Sequence, residues 1–503
     1  SNTSERRKRN LNGAAETKSA SEKRIPLIVA LIPVFVLIGL MGSAVALFGD
    51  ASAGGPAQIV LLVAAASASI IGVANGMSWS ELEEATVHAI ARAVPASLIL
   101  LAVGALIGTW MMSGTAPAMI YYGLALLNPS FFYPAAMLIC AVVSVSIGSS
   151  WTTAGTVGLA LVGVAKVMGL SPEIAAGAVI SGAYFGDKLS PLSDSTNLAA
   201  AVVGVDLFTH VRHMLTTTVP ALIIASVLFG GISLTAGAHS APAESIEATR
   251  SLLDATYNLG PLTMLPLAVV LILAIKRFPP YPTIAIGALL GGGVAALLQP
   301  GLVIDFADKA HELPIGAALF KGAWMGLSTG FQSSLGDATL DRLLSRGGMA
   351  SMLPIIWMVI AALSFGAAME ATGLLQRLTE PLVKHLKGIG SLFAATVVSA
   401  ITMNILSATQ YMAIIIPGRM YLPEYQRRGL KPVNLSRTVE DAGTMTSALV
   451  PWTTCGVFMA GTLGVSTLDY LPYAFLNLLN PLLAVLYGFF RIAIVYEDGK
   501  AKA

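Results

Sequence analysis

The sequence predicts an all-α polytopic membrane protein made of two inverted-topology repeats, each holding a re-entrant hairpin and a discontinuous helix. Three observations predict it: a membrane composition, apolar runs of spanning length interrupted by half-length ones, and polar motifs that recur in one order. Of 503 residues, 55% are hydrophobic and 11% charged. Soluble proteins carry about 25% charged residues. The net charge of +2 says nothing about nucleic acid, but no basic, aromatic-rich module is present and no nucleic-acid partner is expected. The two cysteines, Cys140 and Cys455, lie far apart in apolar segments and form no disulfide framework. Of the scattered histidines only His210 and His213 are close, and they read as membrane-edge residues. No resident metal or cofactor is expected. With no nucleotide loop and no nucleophile–base pair, the chain does not read as an enzyme.

Residues 1–24 are polar and carry seven Lys/Arg. They are expected to be disordered and to lie on the cytoplasmic side by the positive-inside rule. Apolar runs then begin near Ile25, Ala57, Val94, Pro134, Ala175, Leu215, Pro261, Thr283, Ser351, Ser391, Ser436 and Leu471. Shorter pieces, Ala116–Leu127, Thr152–Val167 and Thr409–Met420, suit hairpin arms or halves of broken helices. Ser78–Ala93 and Ala338–Arg346 read as amphipathic connectors lying on the bilayer. Residues 237–258 carry Glu244, Glu247 and Asp254 against Arg250 and read as an external linker, while Lys276 and Arg277 mark an internal turn. The chain therefore divides into a first repeat at 25–236, a second at 259–496 and a tail at 497–503. Halves that start on opposite sides are what an inverted repeat requires.

Self-similarity supports that division. Gly108 in ALIGTWMMSGT and Gly366 in LSFGAAMEATG lie 258 residues apart, as do Ser149 in GSSWTTAGT and Ser407 in LSATQYM. Asp187 falls against Asp441 in SRTVEDAGTMTSALVPWTT at an offset of 254. Each half thus reads as a glycine-bearing span, a hairpin with a Ser/Thr tip, and a broken helix with a carboxylate.

The stretch Ser181–Asn197, SGAYFGDKLSPLSDSTN, places Asp187, Lys188 and Asp194 inside an apolar region. Gly182, Gly186 and Pro191 argue against a continuous helix, since glycine costs about 1 and interior proline about 3 kcal/mol. A charge at mid-membrane costs about 2.5–3.5 kcal/mol on insertion scales, and the usual reason for one is an ion or substrate pathway. Sodium is a hard cation that prefers oxygen ligands. Asp187 and Asp194 are the expected Na+ ligands, with Ser190, Ser193 and Asn197 beside them. The hairpin tips add Ser150, Thr152, Thr153, Asn404, Ser407 and Thr409. A carboxylate that holds either a proton or sodium is enough for exchange. Lys188 is expected to neutralise Asp187 or to meet a substrate carboxylate. Arg437, Glu440 and Asp441 cluster in the second half, with Arg437 and Asp441 at i,i+4 spacing. Asp441 joins the candidate ion ligands; Arg437, Glu440 and the lone Glu370 are candidate charge partners.

GAYFGDKLSPLSDSTNLAAAVVGVDLFTHVRHML, with GTW at Gly108–Trp110 and SSWTTAGTVG, resembles the NhaC family of bacterial sodium/proton antiporters, over essentially the whole chain after Arg24. The resemblance implies a cytoplasmic-membrane transporter that moves Na+ outward against H+. It further implies hairpins packed on broken helices, a scaffold, a moving domain and a homodimer. A related branch exchanges malate and lactate, so coupled exchange of small carboxylates is the second reading. A carboxylate substrate would favour a dedicated cation, and Lys188 and Arg437 are the few available. Paired broken helices favour alternating access over a channel.

Overall fold

The computed structural model describes residues 25–48, 54–237, 240–334, 336–384 and 386–497. The expected disorder of 1–24, and all of the tail beyond residue 497, lie outside the described residues. Every regular element described is helical. Among the described residues, eight helices are long and apolar enough to cross a membrane, or ten if two bent pairs each count as one span.

Two stretches expected on the bilayer surface are instead part of the bundle. Ser78–Ala93 is the first half of one helix, Trp79–Ser113. Ser78 caps it through a capping box with Glu81, and Gly114 ends it in the left-handed region at φ 83°. Its 35 residues span about 52 Å at 1.5 Å per residue, well beyond a hydrocarbon core of about 30 Å. The amphipathic sequence is therefore the protruding end of a span. The short helix Ala338–Leu344 is not laid on lipid either, because Leu340, Leu343 and Leu344 are buried in the central core. Two helices absent from the expected spans, Pro300–Ala307 and Ile315–Ser328, are too short to register as spanning runs. The linker region holds a helix, Ala243–Thr256, whose Arg250 lies 4.8 Å over the Tyr121 ring.

The chain reverses at both expected Ser/Thr tips. Phe132–Ile147 ends at Gly148 (φ 76°), and the chain returns through Ser150–Thr153, a π turn at Ala154–Gly158, and Leu159–Val167. Ile389–Ser407 ends at Ala408 (φ 58°) and returns as Gln410–Arg427. Both broken helices form too. The first is Pro172–Leu189 followed by Asp194–Val203. The second runs Pro432–Val439, a π turn at Glu440–Thr444, and Met445–Ser447, then resumes at Thr454–Leu463.

The backbone landmarks of the two halves keep one register of 260 residues. It relates the left-handed tips Gly148 and Ala408 and the helix-ending glycines Gly204 and Gly464. It also relates the helix starts Pro172 and Pro432 and the N-caps Ser193 and Thr453. The Gly108–Gly366 spacing of 258 holds for the preceding spans, which end at Ser113 and Ala371. The pairing of Asp187 with Asp441 does not hold. In the structural register Asp187 corresponds to Ser447 and Asp441 to Ser181, so the two carboxylates occupy different levels of their helices. Side chains six residues out of step lie on different turns, and shared composition alone had aligned them.

Gly182 and Gly186 do not break the first helix, which continues to Leu189; the break falls at Ser190–Ser193, around Pro191. These glycines let the helix lie directly on the first hairpin arm. A Cβ on Gly186 would come 2.2 Å from the Ser144 carbonyl carbon, and one on Gly182 would come 2.1 Å from the Met137 carbonyl oxygen. Gly186→Val is accordingly expected to lower stability by about 3 kcal/mol or more. Gly230→Ala, in open space, is expected to be neutral or mildly stabilising. Thermal unfolding of the two variants in detergent checks this contrast.

Candidate functional site

A cavity of about 880 Å³ lies between the hairpin tips and the first broken helix. Its wall includes Asp187, Asp194, Ser150, Thr152, Ser407 and Thr409, with Arg92 and Glu370 also on it. Both tips and the first break are thus brought together, although they lie far apart in sequence.

Asp187 is 5% exposed. Its Oδ2 accepts from the Ser150 hydroxyl at 2.6 Å and its Oδ1 from the Ser193 hydroxyl at 2.7 Å. One hydroxyl comes from the hairpin tip and the other from the far side of the break, so the cradle exists only when the two elements are packed. The Thr196 hydroxyl donates to the carbonyls of both Asp187 and Lys188 at 3.0 Å, satisfying carbonyls that the interrupted helix leaves open.

Asp194 opens the second half of the broken helix, is exposed, and accepts a hydrogen bond from the Tyr411 hydroxyl of the second hairpin. The remaining candidates divide by what their side chains touch. Asn197 donates to the carbonyls of Pro191 and Ser193 (2.9 and 2.7 Å), and Ser190 accepts from Leu192 N at 3.4 Å; both brace the break. Thr152 and Thr153 bond to Ser149 at the tip, and Ser407 bonds back to the Met403 carbonyl. Thr409 caps the second hairpin helix without a side-chain bond. Asn404 donates to the Gly443 carbonyl at 2.7 Å and to Thr446 at 2.9 Å, bridging the second hairpin to the π turn.

A second polar cluster lies behind the cavity wall. Lys188, Arg437, Glu440 and Asp441 are each 0% exposed. The Lys188 ammonium pairs with the Asp441 carboxylate and donates to Asn480 Oδ1 at 2.6 Å. Lys188 therefore does not neutralise Asp187. Consecutive helical side chains point about 100° apart, which aims Asp187 at the cavity and Lys188 at the other broken helix. Asp441 also accepts from Thr217 at 3.0 Å and lies 3.9 Å from Arg437 Nε. Arg437 is held in turn by Thr216 (2.9 Å) and the Ala493 carbonyl (3.0 Å). Glu440 accepts from Ser195 at 3.0 Å, and Ser195 lies 3.0 Å from Ser193. Asp441 is thus a partner of buried cations and does not line the cavity. Glu370 sits on the cavity wall near a helix end.

Sequence reasoning passed over Tyr411, Ser195, Thr217 and Asn480. An asparagine in an otherwise apolar last span was the available signal for Asn480. His210, the fourth residue of the helix Leu207–Gly237, is buried and bonded to Ser436 at 2.8 Å. His213 is buried as well.

Apolar helices of spanning length, two helix pairs joined at polar tips and two broken helices around a cavity with Asp187 on its wall define a multi-pass membrane protein of the transporter type. The chain belongs to the Na+/H+ antiporter family, whose model matches residues 182–492. A second family model, the C4-dicarboxylate anaerobic carrier, matches residues 1–231. The Na+/H+ antiporter NhaC of Alkalihalophilus pseudofirmus is 39% identical over 88% of this chain and 92% of its own. A malate-2H+/Na+-lactate antiporter of Bacillus subtilis is 38% identical over 86% and 89%. The Na+/H+ antiporter NhaC of Bacillus subtilis is 35% identical over 83% and 88%.

Proposed function

We propose that the protein exchanges Na+ for H+ across the bacterial cytoplasmic membrane by alternating access, with Asp187 as the shared site. The observation that carries this reading is the Asp187 carboxylate, buried at the edge of the cavity, held by two hydroxyls, while the nearest buried cations are turned to Asp441. When deprotonated, Asp187 offers Na+ a hard anionic ligand, with Ser150 and Ser193 able to turn their oxygens to the ion and Asp194 nearby. When protonated it offers none, so each ion excludes the other. The cavity reaches Pro280, beside the Lys276–Arg277 turn, and Arg92. By the positive-inside rule this favours a cavity open to the cytoplasm, with a cytoplasmic N-terminus. The recurring register supports two repeats, 25–236 and 259–496, of inverted topology, joined by an external linker at 237–258. A homodimer completes the proposal, with Na+ and H+ as cargo and no resident cofactor.

A reconstituted transport assay tests this directly. Proteoliposomes carrying a pH gradient are challenged with Na+, Li+ and K+ chlorides, then with malate and lactate. Proton flux on sodium chloride alone is expected, and flux only with an organic acid would replace this reading with carboxylate exchange. That second reading is favoured by one observation: 880 Å³ is ample for a small organic acid. Ser150→Ala removes one hydroxyl from the Asp187 cradle. A hydrogen bond to a charged group contributes about 1.5–3 kcal/mol, so its loss is expected to raise the apparent KM for Na+ about tenfold or more. An unchanged KM would take Ser150 out of the site.

A further inference from the structure

We propose that Lys188, through its pair with Asp441, is a positioning residue that fixes Asp187 on the cavity wall by clamping the two broken helices together. This rests on the reading of Asp187 as the exchange site. The first broken helix stops at Leu189, one residue beyond Lys188, so no continuing backbone ladder holds Asp187 from the C-terminal side. Three devices take its place: the Thr196 hydroxyl on the carbonyls of 187 and 188, the two hydroxyls on the carboxylate, and Lys188. Among these only Lys188 reaches the second half of the chain. Its ammonium meets Asp441 in the π turn of the second broken helix and Asn480 in the helix Phe475–Phe490. Asp441 is fixed in turn by Thr217 of the helix Leu207–Gly237. Four elements therefore converge on one buried ion pair, one peptide unit away from the carboxylate that faces the cavity. Neither Lys188 nor Asp441 is exposed, and separating the pair would leave each charge uncompensated in a low-dielectric interior. The two broken helices consequently travel as one body, with Asp187 in fixed register on it.

The test uses the double variant K188M/D441L, which removes both charges of the pair together, while Arg437, 3.9 Å from Asp441, keeps its bonds to Thr216 and the Ala493 carbonyl. If the pair positions Asp187, proteoliposomes of this variant show an apparent KM for Na+ raised about tenfold or more, with maximal rate within about threefold of wild type. The charge-reversed variant K188D/D441K recovers part of that loss. A wild-type KM in K188M/D441L overturns the inference and leaves the pair a packing feature only. A second readout does not depend on transport. In a C140S/C455S background, D187C is labelled by a small water-soluble thiol reagent, with and without K188M/D441L. Positioning predicts a labelling rate changed by about tenfold when the clamp is absent, and equal rates overturn it. Absence of Na+-driven flux in the wild-type protein would refute the exchange reading alone, leaving the labelling comparison to decide the clamp.

Discussion

Asp187→Asn is expected to abolish Na+-dependent proton movement in proteoliposomes while the protein still folds. Asparagine keeps the shape, with its one amide oxygen accepting from one of the Ser150 and Ser193 hydroxyls and its amide nitrogen donating to the other, but it carries no charge for sodium and takes up no proton. Both halves of the exchange therefore fail together. Loss of the charge–ion interaction at a buried site corresponds to at least a 100-fold drop, about 2.7 kcal/mol. Folding is expected to survive because the substitution removes a buried charge without opening a cavity. Size-exclusion behaviour and thermal unfolding in detergent check folding, and a pH-dye assay checks flux. Retained flux would remove Asp187 from the mechanism. The same competition sets the sign of the pH dependence: lowering the pH should raise the apparent KM for Na+, since protons occupy the carboxylate. A KM independent of pH would separate the proton site from the sodium site.

Lys188→Met alone is expected to produce the largest stability loss, about 3–5 kcal/mol, because Asp441 is then left buried without its nearest cation. Arg437 Nε, 3.9 Å from the other carboxylate oxygen, offsets only part of this. Asp441→Leu is expected to be destabilising for the mirror reason, leaving the Lys188 ammonium with Asn480 and without its paired carboxylate. The double variant K188M/D441L should be far more stable than the sum of the two single effects predicts, since residues in direct contact are not additive. Thermal and denaturant unfolding of all three in one detergent measures the coupling. Additive losses would show that the two charges do not depend on each other.

Much of the architecture was legible because its signals are local. Hydropathy marked most spans; the polar Ser/Thr interruption at Ser149 marked the first turn; Pro191 between serines marked the first break. The helices Pro300–Ala307 and Ile315–Ser328 escaped because their length falls below what hydropathy can separate from a buried loop or a hairpin arm. The amphipathic Ser78–Ala93 was misplaced for a related reason: a solvated helix end and a surface helix have the same side-chain pattern, and only the continuation into Trp79–Ser113 distinguishes them.

The sequence by itself determined the class of protein, the order of hairpin and broken helix in each half, and Asp187 as the residue to watch. Composition, breaker residues and a carboxylate in apolar surroundings are properties of a segment and need no partner to be read. Which charge answers which was decided by tertiary structure alone. Asp187 and Lys188 are neighbours in sequence, yet helical rotation sends one to the cavity and the other to Asp441, 253 residues away. The correspondence of Asp187 with Ser447, in place of Asp441, likewise needed the 260-residue register of caps and left-handed turns, because side-chain identity had drifted where backbone geometry had not.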